Sequence, residues 1–121
     1  MGIPVTIADD SALSRKAIRR ALPLDWDVDI HETQNGLEAI EAVNAGLAEM
    51  LFLDLQMPIM NGFEVLKVLH DHHEKTVVIV ISADIQPEAQ ALVMSLGAFR
   101  FLKKPLQMVE LRETLYEVGL L

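Results

Sequence analysis

The chain alternates between short apolar runs and longer stretches in which apolar side chains recur every three or four residues. The runs IPVTIA (3–8), VDIHET (28–33), MLFL (50–53), VVIVIS (77–82) and RFLK (100–103) have strand length and β-branched or alternating character. Between them the period becomes helical. Ser11 is placed to cap a helix over 12–22 that Pro23 stops, with Leu13, Ala17, Ile18, Ala21 and Leu22 on the predicted buried face. After an Asn35-Gly36 turn, Leu37, Ile40, Val43 and Leu47 predict an amphipathic helix over 37–47. Gly62 leads into a helix over 63–70 carrying Phe63, Leu66 and Leu69. Pro87 suits the first turn of a helix carrying Ala89, Leu92, Val93 and Leu96, which Gly97 ends. Met108, Leu111, Leu115 and Val118 mark the last helix.

Five strand–helix repeats whose strands are mostly apolar on both sides predict an α/β fold: a parallel sheet with helices on both faces. Right-handed crossovers and the small size favour an open, doubly wound sheet, since five strands are too few for an eight-stranded barrel. Periodicity leaves the strand order open.

Composition narrows the function. The 121 residues fit one domain, and the absence of cysteine excludes a disulfide framework, thiolate catalysis and a cysteine zinc site. A net charge of -8 opposes direct binding of nucleic acid or anionic lipid. No apolar run approaches the length of a membrane span and no leader pattern is visible, so the expected location is cytoplasmic. HDHHE (70–74) has no partner cluster elsewhere, and histidine near a helix C-terminus also complements the dipole. SRKAIRR (14–20) reads as the solvated face of the first helix.

The polar residues that end the strands carry the chemistry. Asp9 and Asp10 follow the first strand, Asp54 the third, Ser82 closes the fourth and Lys104 follows the fifth. In an open parallel sheet, ligands bind beyond the carboxyl ends of the strands. The fold therefore gathers groups that are far apart in the chain. Two carboxylates about 4 Å apart repel by ~4 kcal/mol at an effective dielectric of 20. Three together either protonate or capture a cation, and oxygen ligands favour a hard one such as Mg2+. Carboxylates, a divalent metal, an ammonium and a hydroxyl suit phosphoryl transfer. Each residue taken singly has a structural reading as well: Asp and Ser favour turns and caps, and Lys favours solvent.

The Asp9-Asp10 pair, DLQMPIMNG (54–62), VIVISA (78–83) and FLKKP (101–105) together resemble the receiver domain of two-component response regulators. The resemblance runs from TIADDS (6–11) to the last helix and implies one receiver domain over 1–121 with a flavodoxin-like sheet of order 2-1-3-4-5. It implies that Asp54 accepts the phosphoryl group. Mg2+ (or Mn2+) would be bound by Asp10, Asp54 and the backbone carbonyl of Gln56, with Asp9 supporting it through water. Lys104 would contact the phosphoryl group, Ser82 and Phe101 would form the switch, and the peptide before Pro105 would be cis. Gln56 and Asp84 stand where the family tunes hydrolysis of the phospho-aspartate.

The implied donor is a histidine kinase or histidine phosphotransfer protein, and the implied recipient of the signal is a downstream protein target or a fused output domain. Met94, Lys103 and Met108 are candidate readout contacts. No direct nucleic-acid partner and no membrane insertion are expected. Nor is a turnover enzyme expected beyond self-phosphorylation and slow self-dephosphorylation. Two other readings are a phosphorylation-independent interaction module and a magnesium-dependent phosphohydrolase. The latter commonly carries a second aspartate two residues after its nucleophile, where this chain has Gln56.

Overall fold

The computed structural model describes residues 2–120. Ten elements alternate: β1 (Ile3–Ala8), α1 (Ala12–Ala21), β2 (Val28–Thr33), α2 (Gly36–Asn44), β3 (Met50–Leu53), α3 (Gly62–Asp71), β4 (Val77–Ser82), α4 (Pro87–Ser95), β5 (Arg100–Lys103) and α5 (Met108–Val118). The strands form one parallel sheet of order β2-β1-β3-β4-β5. The order reverses between β1 and β3, which makes the carboxyl ends of those strands the expected ligand crevice.

Period-2 alternation inside the apolar strands explains the two faces. Met50 and Phe52 of β3, with Ile79 and Ile81 of β4, pack with Ile18 of α1 and with Leu111 and Leu115 of α5. Their neighbours Leu51, Leu53, Val78 and Val80 point the other way, onto Ala39 of α2, Val65, Leu66 and Leu69 of α3, and Val93 of α4. A strand covered on both sides has no polar face to display, so it reads as a continuous apolar run.

The helix starts follow local chemistry. The side chains of Ser11, Asn35 and Asn61 accept hydrogen bonds from the backbone N–H groups of Ser14, Glu38 and Glu64, and Asn61 with Glu64 forms a reciprocal capping box. Pro87 opens α4, while Gly97, at φ 97°, follows its end.

Three expectations are corrected. The α1 face is narrower than the pattern indicated: Ile18, Ala21 and Leu22 are buried, but Leu13 and Ala17 are exposed, because α1 meets the sheet mainly through its C-terminal half. Next, α2 begins and ends earlier than 37–47. Asn35 is its cap rather than part of a free turn, and Gly46, at φ 78°, takes the backbone out of the helix before Leu47. The buried residues of α2 are Gly36, Ala39 and Ala42, whereas Leu37 is exposed: a small-residue seam lets the helix lie close to its neighbours. Finally, Leu92, placed on the apolar stripe of α4, lies on its exposed side.

Candidate phospho-acceptor site

The ladder bonding that builds the sheet runs one residue beyond the strand ends. The Asp9 N–H donates to the Thr33 carbonyl (3.1 Å), the Asp54 N–H to the Ala8 carbonyl (3.0 Å) and the Lys104 N–H to the Ser82 carbonyl (3.0 Å). The backbone itself therefore fixes where three of the charged side chains begin. Two glycines close the scaffold behind them. A Cβ on Gly62 would lie 2.4 Å from the Asp54 carbonyl oxygen, and one on Gly36 would lie 2.2 Å from that of Met60. Only glycine lets α3 start against the residue that carries the central carboxylate.

The three aspartates converge, each offering an oxygen within 4.8 Å of the others. Asp9 is fully buried and Asp54 nearly so, whereas Asp10 is exposed. The Asp9 carboxylate is heavily engaged. Its Oδ1 accepts from the Ser11 N–H at 2.9 Å, and its Oδ2 accepts from the Ser14 hydroxyl at 2.6 Å and the Lys104 ammonium at 2.8 Å. Lys104 Nζ also lies 3.6 Å from Asp54 Oδ1, so one cation serves two buried carboxylates. Burial first, and then the charge of Asp9, push the Asp54 carboxyl above the usual carboxylate range; the Lys104 charge and the Leu55 backbone N–H pull it back only in part.

A cleft of about 530 Å³ opens in front of this cluster, lined by Asp10, Asp54, Gln56, Ser82, Ala83, Asp84, Gln86 and Lys104. The buried Ser82 hydroxyl accepts from the Asp84 N–H at 3.0 Å, and Asp84 Oδ1 accepts from the Gln86 N–H at 3.1 Å. Exposed Gln56 stands across the cleft, directly after the buried Asp54–Leu55 pair. Phe101, on β5 opposite Val80, is partly buried on the α4 side of the sheet rather than in the cleft. Lys103 points to solvent and the Lys104–Pro105 peptide is cis. Met94 and Met108 are exposed on α4 and α5.

The donor set fits a hard divalent cation. Its ligand atoms are carboxylate oxygens, the central one is held above its normal proton affinity, and a single lysine does not balance three negative charges. Among the described residues the histidines of 70–73 do not assemble into a comparable cluster.

A family model described as the response regulator receiver domain matches residues 5–116. The chain belongs to that family. The protein-glutamate methylesterase/protein-glutamine glutaminase of Pyrococcus horikoshii is 37% identical to this receiver over 106 residues, which are 85% of this chain and 28% of that protein. The receiver spans less than half the length of the curated relatives it matches. Among solved structures, the signal receiver domain of a NarL response regulator from Mycobacterium tuberculosis superimposes with a TM-score of 0.86 at 29% identity, over 98% of this chain and 96% of that one. A chain of the CheX-CheY-BeF3-Mg+2 complex from Borrelia burgdorferi does so with a TM-score of 0.83 at 27% identity, over 95% and 87%. Among the described residues, no helix is long and apolar enough to cross a membrane.

Two contacts of the receiver's acidic cluster escaped the sequence reading, which assigned residues 14–20 to a solvated face. Besides the Ser14 hydroxyl on Asp9, Arg15 donates to the Asp9 carbonyl at 2.7 Å and, with Arg19, to Glu32. The Arg19 hydrogen bond first, and then Arg15, hold Glu32 below its usual range against the opposing effect of burial. The available signal was spacing. Ser14 and Arg15 lie five and six residues after Asp9, in the first turns of a helix that begins three residues after it.

Proposed function

We propose that this receiver accepts a phosphoryl group on Asp54 from a phosphohistidine of a histidine kinase or histidine phosphotransfer protein, and that the modification switches a protein-binding surface. The observation that carries the reading is the convergence of three carboxylates and one ammonium at the carboxyl end of a receiver sheet. Asp10, Asp54 and the Gln56 carbonyl would hold Mg2+ (or Mn2+), with Asp9 supporting it through water. When bound, the cation supplies positive charge to the phosphoryl oxygens.

An Asp54 carboxylate oxygen attacks phosphorus. The O–P bond forms as the P–N bond breaks, and the imidazole leaves with the bonding pair and takes up a proton from solvent. Burial and the neighbouring Asp9 charge raise the proton affinity of Asp54 in the metal-free site, and a bound cation would hold the carboxylate ionised for attack. Lys104 holds a phosphoryl oxygen, a role supported by its position 3.6 Å from Asp54 Oδ1.

The product is an acyl phosphate that water cleaves. Gln56 and Asp84, both lining the cleft, tune that hydrolysis. New phosphoryl oxygens draw the Ser82 hydroxyl toward them, and Phe101 repacks into the vacated space. The readout surface comprises α4, β5 and α5, where Met94, Lys103 and Met108 meet a downstream protein or an output domain of the same chain. The receiver, spanning 1–121, works in the cytoplasm as a signalling module rather than a turnover enzyme.

A radiolabelled phosphohistidine donor tests the assignment. Wild type should take up label in the presence of Mg2+ and Asp54→Asn should not. Equal labelling of the two proteins would refute it.

A further inference from the structure

Asp9 is the most constrained group in the site. It is fully buried, and it is absent from the residues that line the cleft. Each carboxylate oxygen offers about two acceptor directions. On Oδ2 both are taken, by the Ser14 hydroxyl at 2.6 Å and the Lys104 ammonium at 2.8 Å. On Oδ1 one is taken by the Ser11 N–H at 2.9 Å. A single acceptor direction of Asp9 thus remains, on Oδ1, the oxygen that bears only one donor. The Ser11 and Lys104 contacts come from the backbone of the turn and from a residue with its own role in the site. Ser14 belongs to neither group: it is a side chain on the first turns of α1 that reaches back five residues to clamp the carboxylate.

We infer that Ser14 is a positioning residue that limits the hold of Asp9 on the cation. By filling Oδ2 jointly with Lys104, it fixes the carboxylate with only Oδ1 turned to the metal and its hydration shell. The metal is thereby left chiefly to Asp10 and Asp54. The hydroxyl also takes up part of the negative charge that would otherwise bind the Lys104 ammonium more tightly. Loss of the hydroxyl frees an acceptor direction on Oδ2 and lets the carboxylate rotate toward the cation. The consequence is tighter Mg2+ binding and a lysine held more firmly on Asp9. The inference rests on the proposed function only in taking Mg2+ as the resident cation.

The experiment is a calorimetric Mg2+ titration of the unphosphorylated full chain. Hydrogen bonds to charged groups are strong enough that Ser14→Ala should lower the Mg2+ dissociation constant by roughly three- to tenfold. Alanine is a better helix former than serine, so α1 should persist. Ser14→Cys keeps the volume with a weaker donor and should shift the same way, while Ser14→Thr retains the hydroxyl and should match wild type. In an Asp9→Asn background the Ser14→Ala effect should fall below about twofold, since a double-mutant cycle isolates the contact. A Ser14→Ala protein with unchanged or weaker affinity overturns the inference, as does an equal shift in the Asp9→Asn background. If wild type binds Mg2+ and labels on Asp54 while Ser14→Ala is unaltered, the Ser14 assignment falls alone. A wild type that binds no Mg2+ overturns both it and the proposed function.

Discussion

Replacing Asp54 with asparagine should stabilise the metal-free protein at neutral pH. The carboxylate is nearly buried and faces two other carboxylates, each with an oxygen within 4.8 Å. At an effective dielectric of 20, each repulsion is worth about 3.5 kcal/mol at that separation, and the attraction of Lys104 at 3.6 Å about 4.6 kcal/mol. The net repulsion is thus about 2–3 kcal/mol, before allowing for the exposed position of Asp10 and the open cleft, which screen it. Lys104 is also shared with Asp9, which weakens its claim on Asp54. A gain of about 1–2 kcal/mol is the result, or roughly 4–8 °C in melting temperature for a domain of this size.

The pH dependence follows from the direction of the Asp54 shift. Its folded-state proton affinity is raised above that of an ordinary aspartate, so the native state binds more protons than the unfolded state across the intervening window. Wild-type stability therefore falls as pH rises through that window, and the full penalty is present above it. Thermal melts followed by circular dichroism in EDTA, between pH 4 and 8, should show the Asp54→Asn advantage greatest at the upper end and shrinking toward the lower. Added Mg2+ should narrow the gap at pH 7 by stabilising wild type more than the variant. A variant that melts below wild type at pH 7 without metal, or an advantage that does not change with pH, would refute the electrostatic account.

Two further predictions test the scaffold. Gly62→Ala places a methyl group 2.4 Å from the Asp54 carbonyl oxygen, so a urea titration should show a loss of about 2 kcal/mol or more, with slower phosphoryl uptake in the folded fraction. Wild-type stability and labelling would contradict the close approach of α3 to the acceptor. Ile59 is a β-branched residue at φ 70° with an exposed side chain, so Ile59→Asn should raise stability by about 0.5–1 kcal/mol, and a lower denaturation midpoint would count against strain there.

How much was legible in advance differed between elements. The strands of 3–8, 28–33, 50–53, 77–82 and 100–103 were readable residue for residue, because the inner strands announce themselves as apolar runs with polar ends and the edge strands β2 and β5 are short and mix apolar with polar residues. Helix existence was equally plain, yet helix faces were not. Leu13, Leu37 and Leu92 fit the helical period but are exposed, while Ala39 and Ala42 carry the buried side of α2. Periodicity finds an apolar stripe but does not say how far a helix leans on the sheet. The site divided in the same way. Asp9, Asp10, Asp54, Ser82 and Lys104 were visible as strand-end residues, whereas Ser14 and Arg15 looked like surface polar residues.

The sequence by itself determined the alternation of elements, the polar groups that end the strands, and, through resemblance, the strand order. Tertiary structure alone decided which donors share Asp9, that Lys104 lies nearer Asp9 than Asp54, and that burial and a neighbouring charge raise the proton affinity of Asp54. The physical reason is range. Strand and helix periods are local properties of the backbone, readable within a dozen residues. The state of a buried carboxylate depends on the distances and desolvation of groups up to 95 residues apart, which exist only once the chain has folded.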